Sequence, residues 1–226
     1  EKYFSFYYLE DNVKVEFFKH NIKEEDINEA VDTLRSLFIT SGTKTALLEK
    51  MLAEYTDNQF SAGLTSCTAG LFLILKALNF PENSEIITPA LSFAASANTV
   101  IHAGHIPVFC DVEPLTGNLD IDKIEPLITE KTKAIVAVHL YGQMCDMKKL
   151  KNLADKFQLK IIEDSAHCVE GSRDGIKPGN LSQAAAFSFY ATKNITCGEG
   201  GAVTTNDREL NEKIKVLRLH GLSRDA

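Results

Sequence analysis

From Phe60 onward, short β-prone runs alternate with longer helical stretches, and this alternation limits the fold more than any other feature of the chain. The β-prone runs occupy 60–64, 85–88, 106–110, 133–139 and 159–163. Helical stretches lie between them near 67–79, 92–103, 120–129 and 146–157. In Lys133-Ala-Ile-Val-Ala-Val138 the apolar residues are consecutive, so both faces of that strand must be covered. The expected class is therefore α/β: a mixed, largely parallel sheet sandwiched by helices. Two further runs, 184–189 and 201–205, have only loop between them, so part of the sheet is expected to be antiparallel. A last helix over 207–219 runs into His220-Gly221, a C-cap signal.

Upstream, residues 1–23 carry Tyr3, Phe4, Phe6, Tyr7, Tyr8, Phe17 and Phe18 without a clean period. They read as an aromatic arm that packs against something larger, such as another subunit. Two helices follow. Ile27, Ala30, Val31, Leu34 and Phe38 mark one face of the first, and Leu47, Leu48, Met51, Leu52 and Tyr55 one face of the second, with Gly42 between them. Residues 24–226 are read as one large domain. The start at Glu1 and the stop at Ala226 without a closing element suggest a fragment.

Composition excludes several classes. A net charge of −7 and no long basic run argue against a nucleic-acid surface. Cys67, Cys110, Cys145, Cys168 and Cys197 are odd in number and contain no C-x-x-C pair, which points to reduced thiols in a cytoplasmic protein. No apolar run reaches the length of a membrane span, so no membrane partner is expected. His102 and His105 have no third ligand at matching spacing, so no metal site is expected. Gly198-Glu-Gly-Gly201 precedes a strand and reads as a tight turn, not a dinucleotide loop.

Ligands of open α/β sheets gather beyond the carboxyl ends of the strands. On that rim fall Ser66, Cys67 and Thr68 at a helix start, Phe93, Asp164, His167 and Lys193. Helix-start amides can cradle a phosphate, although Ser66 or Thr68 could equally be a simple N-cap. Phe93 can stack on a flat ring, although a lone Phe after a strand is usually core. Asp164, ending the apolar run Ile161-Ile162-Glu163, could face a protonated pyridine nitrogen or merely sit in a surface turn. Lys193 could form an imine with an aldehyde, and His167 could bond a ring hydroxyl or be structural.

Taken in order, the motifs become specific. They are Thr65-Ser-Cys-Thr-Ala-Gly-Leu71, Ile87-Thr-Pro-Ala-Leu-Ser-Phe93, Pro107-Val-Phe-Cys-Asp-Val112, Lys133-Ala-Ile-Val-Ala-Val-His-Leu-Tyr-Gly-Gln143, Ile162-Glu-Asp-Ser-Ala-His167, Phe187-Ser-Phe-Tyr-Ala-Thr-Lys-Asn-Ile-Thr196 and Gly198-Glu-Gly-Gly-Ala-Val-Thr-Thr205. With them the chain, from about residue 15 to its end, resembles the DegT/DnrJ/StrS family of sugar aminotransferases, of the fold-type I class that uses pyridoxal 5'-phosphate. The resemblance implies that Lys193 is the Schiff-base lysine, Asp164 the partner of the pyridine nitrogen, and His167 a neighbour of the ring hydroxyl. It implies that Phe93 stacks on the ring and that Ser188 joins the Cys67 and Thr68 amides at the phosphate. Thr40, Ser41 and Gly42 are similar to a loop that meets the substrate.

The same resemblance implies transfer of an amino group from an amino donor, glutamate, to a nucleotide-linked keto-sugar by a homodimer. Sugar dehydratases of the family carry His at the Schiff-base position, so Lys193 favours transamination. A non-catalytic paralogue is the other alternative. The family has Gly where this chain has Cys67, so altered phosphate geometry, without loss of binding, is expected if that position needs φ > 0 or close backbone approach. Family chains also continue into a small C-terminal domain, which is absent here.

Overall fold

The computed structural model describes residues 19–222. The predicted aromatic arm lies outside them, residues 19–23 excepted. Two helices come first, α1 (Glu24–Arg35) and α2 (Thr43–Tyr55). Then follow β1 (Phe60–Leu64), α3 (Cys67–Leu78), β2 (Glu85–Pro89), α4 (Ala95–His102) and β3 (Ile106–Cys110). The remainder is β4 (Thr132–Val138), α5 (Met147–Lys156), β5 (Lys160–Asp164), β6 (Ala184–Ser188), β7 (Gly201–Thr205) and α6 (Arg208–Leu217).

The strands form one seven-stranded sheet in the order β1-β7-β6-β5-β4-β2-β3. β7 runs antiparallel to both β1 and β6, and the other neighbours are parallel. That is the mixed, largely parallel sheet expected from the alternation. It has a consequence for function. With β7 reversed, the carboxyl ends of β1, β2, β4, β5 and β6 share one rim, and the amino end of β7 meets them there.

Alternate residues of the strands feed opposite faces, as the pleat requires. Ile86, Ala134, Val136, Ile162 and Ala186 pack with Leu71, Ile74 and Leu75 of α3 and with Leu210 and Ile214 of α6. Ile87, Ile135, Ala137 and Ile161 pack on the other side with Met147 and Leu150 of α5. Leu52 of α2 joins Ala185, Phe187 and Ala202 in a smaller cluster. Coverage from both sides explains the unbroken apolar run of β4, whose last five residues are all buried.

Three expectations need correction. The stretch 120–129 is not a helix but two single 3-10 turns, Ile121–Lys123 and Glu125–Leu127. Pro126 lacks the N–H a longer helix needs, yet Ile121 and Ile124 are buried, so the apolar spacing marked a core contact. The stretch 92–103 becomes helical only at Ala95, which leaves Ser92 and Phe93 in the loop beyond β2. In α1 the apolar stripe is real, but no residue of the helix is buried and the helix ends before Phe38. At the other end, Gly221 (φ 80°) donates its N–H to the Val216 carbonyl at 3.1 Å, closing α6 as a positive-φ cap does.

Candidate active site

A cavity of about 660 Å³ opens on the shared rim, within the usual size of small-molecule sites. It is lined by Ser66, Cys67, Thr68, Phe93, Asp164, His167, Ser188 and Lys193 together with Ser92, His139, Tyr141, Tyr190, Thr192 and Glu199. Eight of the predicted residues thus meet in one place. Thr40, Ser41 and Gly42 do not line it: they belong to the connection between α1 and α2, where Gly42 caps α2. Missed by sequence reasoning were Ser92, His139, Tyr141, Tyr190, Thr192 and Glu199. Ser92, His139 and Tyr141 follow the ends of β2 and β4, so the rim rule carried further would have found them.

One end of the cavity is the start of α3. Ser66 caps the helix, its hydroxyl accepting the Ala69 N–H at 3.0 Å, so the N-cap reading of Ser66 holds. The amides of Cys67 and Thr68 precede any intrahelical carbonyl and point out of the first turn. β7 makes this seat possible. A Cβ on Gly201 would fall 2.2 Å from the Ser66 carbonyl carbon and 2.5 Å from the Cys67 nitrogen. Only glycine lets the strand pass under the helix start.

Cys67 is the first residue of α3 and is not among the positive-φ residues, so its backbone conformation does not demand glycine. Its thiol is buried, 3.4 Å from the Ala186 carbonyl and 3.7 Å from Asp164 Oδ1. Burial pushes the thiol well above its ordinary range, Asp164 pushes the same way, and Lys193 opposes.

Asp164 is 5% exposed at the end of β5. Oδ2 accepts the Ser96 hydroxyl at 2.7 Å and Oδ1 accepts the Ala166 N–H at 3.2 Å, with no ion pair among the described residues. A buried carboxylate without a cation is costly, and a positively charged donor placed against it would offset that cost. Its strand neighbour Glu163 points to the opposite face, where it bridges His139 Nε2 at 2.6 Å and the Gly179 N–H at 2.9 Å. The surface-turn reading of Asp164 is thereby excluded.

His167 lies stacked on Tyr141, centroids 5.5 Å apart and rings 7° from parallel. Its Nδ1 accepts the Tyr141 N–H at 3.3 Å, which leaves Nε2 as the nitrogen able to donate. Tyr141 holds a left-handed backbone (φ 52°, ψ 28°) to make that bond, a strained conformation of the kind found at functional sites. Burial holds His167 below the usual imidazole range; Lys193 pushes the same way and Asp164 opposes. Phe93 is 76% exposed, so it is not core, and it lines the cavity.

The sequence model of the DegT/DnrJ/EryC1/StrS aminotransferase family matches residues 20–226. The chain belongs to that family. Among DegT/DnrJ/EryC1/StrS members, the UDP-4-amino-4-deoxy-L-arabinose–oxoglutarate aminotransferase of Shewanella sediminis is 39% identical over 205 residues, 91% of this chain and 53% of the relative. Helicobacter pylori PseC, an aminotransferase involved in the biosynthesis of pseudoaminic acid, superposes with a TM-score of 0.89 at 35% identity, covering 93% of this chain and 57% of that one. Bacillus subtilis NtdA, solved with bound cofactor PMP, gives a TM-score of 0.82 at 32% identity over 91% of this chain and 47% of that one. The chain spans about half the length of the curated relatives it matches. Its sheet and helices are those of a fold-type I family member.

Proposed function

We propose that the protein is a pyridoxal 5'-phosphate-dependent aminotransferase that moves an amino group from an amino donor, glutamate, to a nucleotide-linked keto-sugar. The observation that carries this reading is the meeting of Lys193, the buried carboxylate of Asp164, the exposed Phe93 ring and the start of α3 in one cavity. These residues fit the cofactor's parts one for one: amine to aldehyde, carboxylate to ring nitrogen, aromatic to ring face, helix start to phosphate.

Bound there, pyridoxal phosphate supplies an aldehyde that takes up amino groups and a protonated ring that draws electrons from the carbon losing a proton. Asp164 keeps the ring nitrogen protonated by offering it a buried negative charge. Lys193 Nζ would hold the cofactor through its aldehyde and, displaced by the donor's amine, would carry the proton that leaves the donor's Cα, acting first as base and then as acid. The Cys67 and Thr68 amides, with Ser66, Thr68 and Ser188 hydroxyls beside them, would hold the phosphate. His167 would donate from Nε2 to the ring hydroxyl.

Residues 24–226 are the cofactor-binding large domain in this reading. The protein works as a homodimer in the cytoplasm, with no membrane or nucleic-acid partner. In support, α1 and the segment after it expose Leu34, Leu37, Phe38 and Ile39 by 61–88%. Among the described residues no helix is long and apolar enough to cross a membrane. The relatives' nucleotide-sugar names support the substrate class.

In the full-length protein, Lys193→Ala should abolish the visible absorbance of the covalently held cofactor, and glutamate should no longer change the spectrum. An unchanged spectrum would refute the assignment. Dehydration in place of amination, across a panel of nucleotide keto-sugars, would favour the sugar dehydratase instead.

A further inference from the structure

Ser96 does not line the cavity, yet it joins two of its parts. It sits in the first turn of α4 and is 1% exposed. Its backbone N–H donates to the Phe93 carbonyl at 3.1 Å, and its hydroxyl donates to Asp164 Oδ2 at 2.7 Å. A serine hydroxyl has one hydrogen. With that hydrogen on the carboxylate, the 2.6 Å contact between Ser92 Oγ and Ser96 Oγ must take its hydrogen from Ser92. A one-way chain therefore runs from Ser92, on the cavity wall, through Ser96 to the buried carboxylate. The Ala166 N–H holds the other carboxylate oxygen at 3.2 Å, so the group is fixed from both sides.

A serine early in a helix commonly bonds its own backbone. Ser96 instead spends its side chain on a strand residue 68 positions away. We propose that Ser96 is a positioning residue of the proposed reaction, setting the Asp164 carboxylate and the Phe93 segment in fixed relation so that the ring nitrogen and the ring face of pyridoxal phosphate are met together. The inference rests on the cofactor reading above. A serine that merely satisfied a buried carboxylate would affect folding without affecting how that carboxylate binds a ring.

Deoxypyridoxine phosphate keeps the ring nitrogen and the phosphate but lacks the aldehyde, so its binding does not require Lys193 chemistry. Its affinity would be titrated on the full-length protein as wild type, Ser96→Ala, Asp164→Ala and the double variant, with inorganic phosphate as control and thermal melting to verify folding. Ser96→Ala should weaken the probe roughly tenfold, the scale of a hydrogen bond to a charged group. It should leave inorganic phosphate unaffected and add nothing in the Asp164→Ala background, because the two residues act as a unit. Equal loss in both backgrounds, or no loss, overturns the proposal. Should Ser96→Ala not fold, Ser96→Cys, close in shape but a weaker donor, decides: weaker probe binding supports it and wild-type binding overturns it. A wild type that fails to bind the probe removes the cofactor reading and this inference together, whereas wild-type binding with an indifferent Ser96→Ala removes this inference alone.

Discussion

Cys67 shows how a side chain can depart from its family without disturbing the site. Its backbone lies at the start of α3 and its thiol turns inward to the Ala186 carbonyl and Asp164 Oδ1. Cys67→Gly should therefore cost stability, about 1–2 kcal/mol from the lost buried group and the added backbone entropy. It should change cofactor affinity by less than about threefold. Chemical denaturation and a binding titration measure the two separately. His167 gives a pH-dependent counterpart. Its folded value lies below the ordinary one, so between the two the unfolded chain binds more protons and stability rises with pH. The stability it allows is complete above about pH 6.5 and is lost as pH falls through the folded value. Protonation at Nδ1 would also break the Tyr141 bond. His167→Gln should flatten that part of a stability–pH profile, and a profile identical to wild type would contradict the depressed titration of His167. Of these residues, Asp164, His167 and Lys193 were legible from the rim rule. Ser96 was not, since a serine at a helix start signals a cap and only the fold brings it to Asp164.

At the scale of elements, the site depends on how β7 passes beneath α3. The strand reverses direction so that its first residue meets Ser188 and Leu64 on the rim. Gly201→Ala would push a methyl group into the Ser66–Cys67 backbone. Backbone cannot give way as a flexible side chain can, so the substitution should destabilise the protein by at least about 3 kcal/mol and lower affinity for inorganic phosphate. Denaturation and phosphate titration test both. The glycine turn was visible in the sequence, but its reason was not, because the close approach is between segments far apart in the chain. The same limit explains 120–129. Periodicity correctly marked Ile121 and Ile124 as inward-facing, while Pro126 broke the helix that the periodicity suggested.

For the molecule as a whole, the alternation of strands and helices specified a two-sided sheet because only two covering layers can hide runs such as 132–138. Strand order was not legible, since adjacency in a sheet depends on crossovers that no local pattern encodes. Nor was the fate of the first helix. None of its apolar stripe is buried among the described residues, and a homodimer interface is the proposed cover. Replacing both Leu34 and Leu37 with Asp should halve the solution mass of the full-length protein by light scattering without altering its helix content. These side chains are 72% and 88% exposed, so the fold of a single copy has little reason to object. A persistent dimer would place the interface elsewhere.

The covalent bond at one amine is tested most directly by reduction. Treating the cofactor-loaded protein with borohydride and mapping its peptides should place a single pyridoxyl phosphate adduct on Lys193, in Asp164→Asn as well as in wild type. An adduct on another lysine, or none on wild type, would contradict the account.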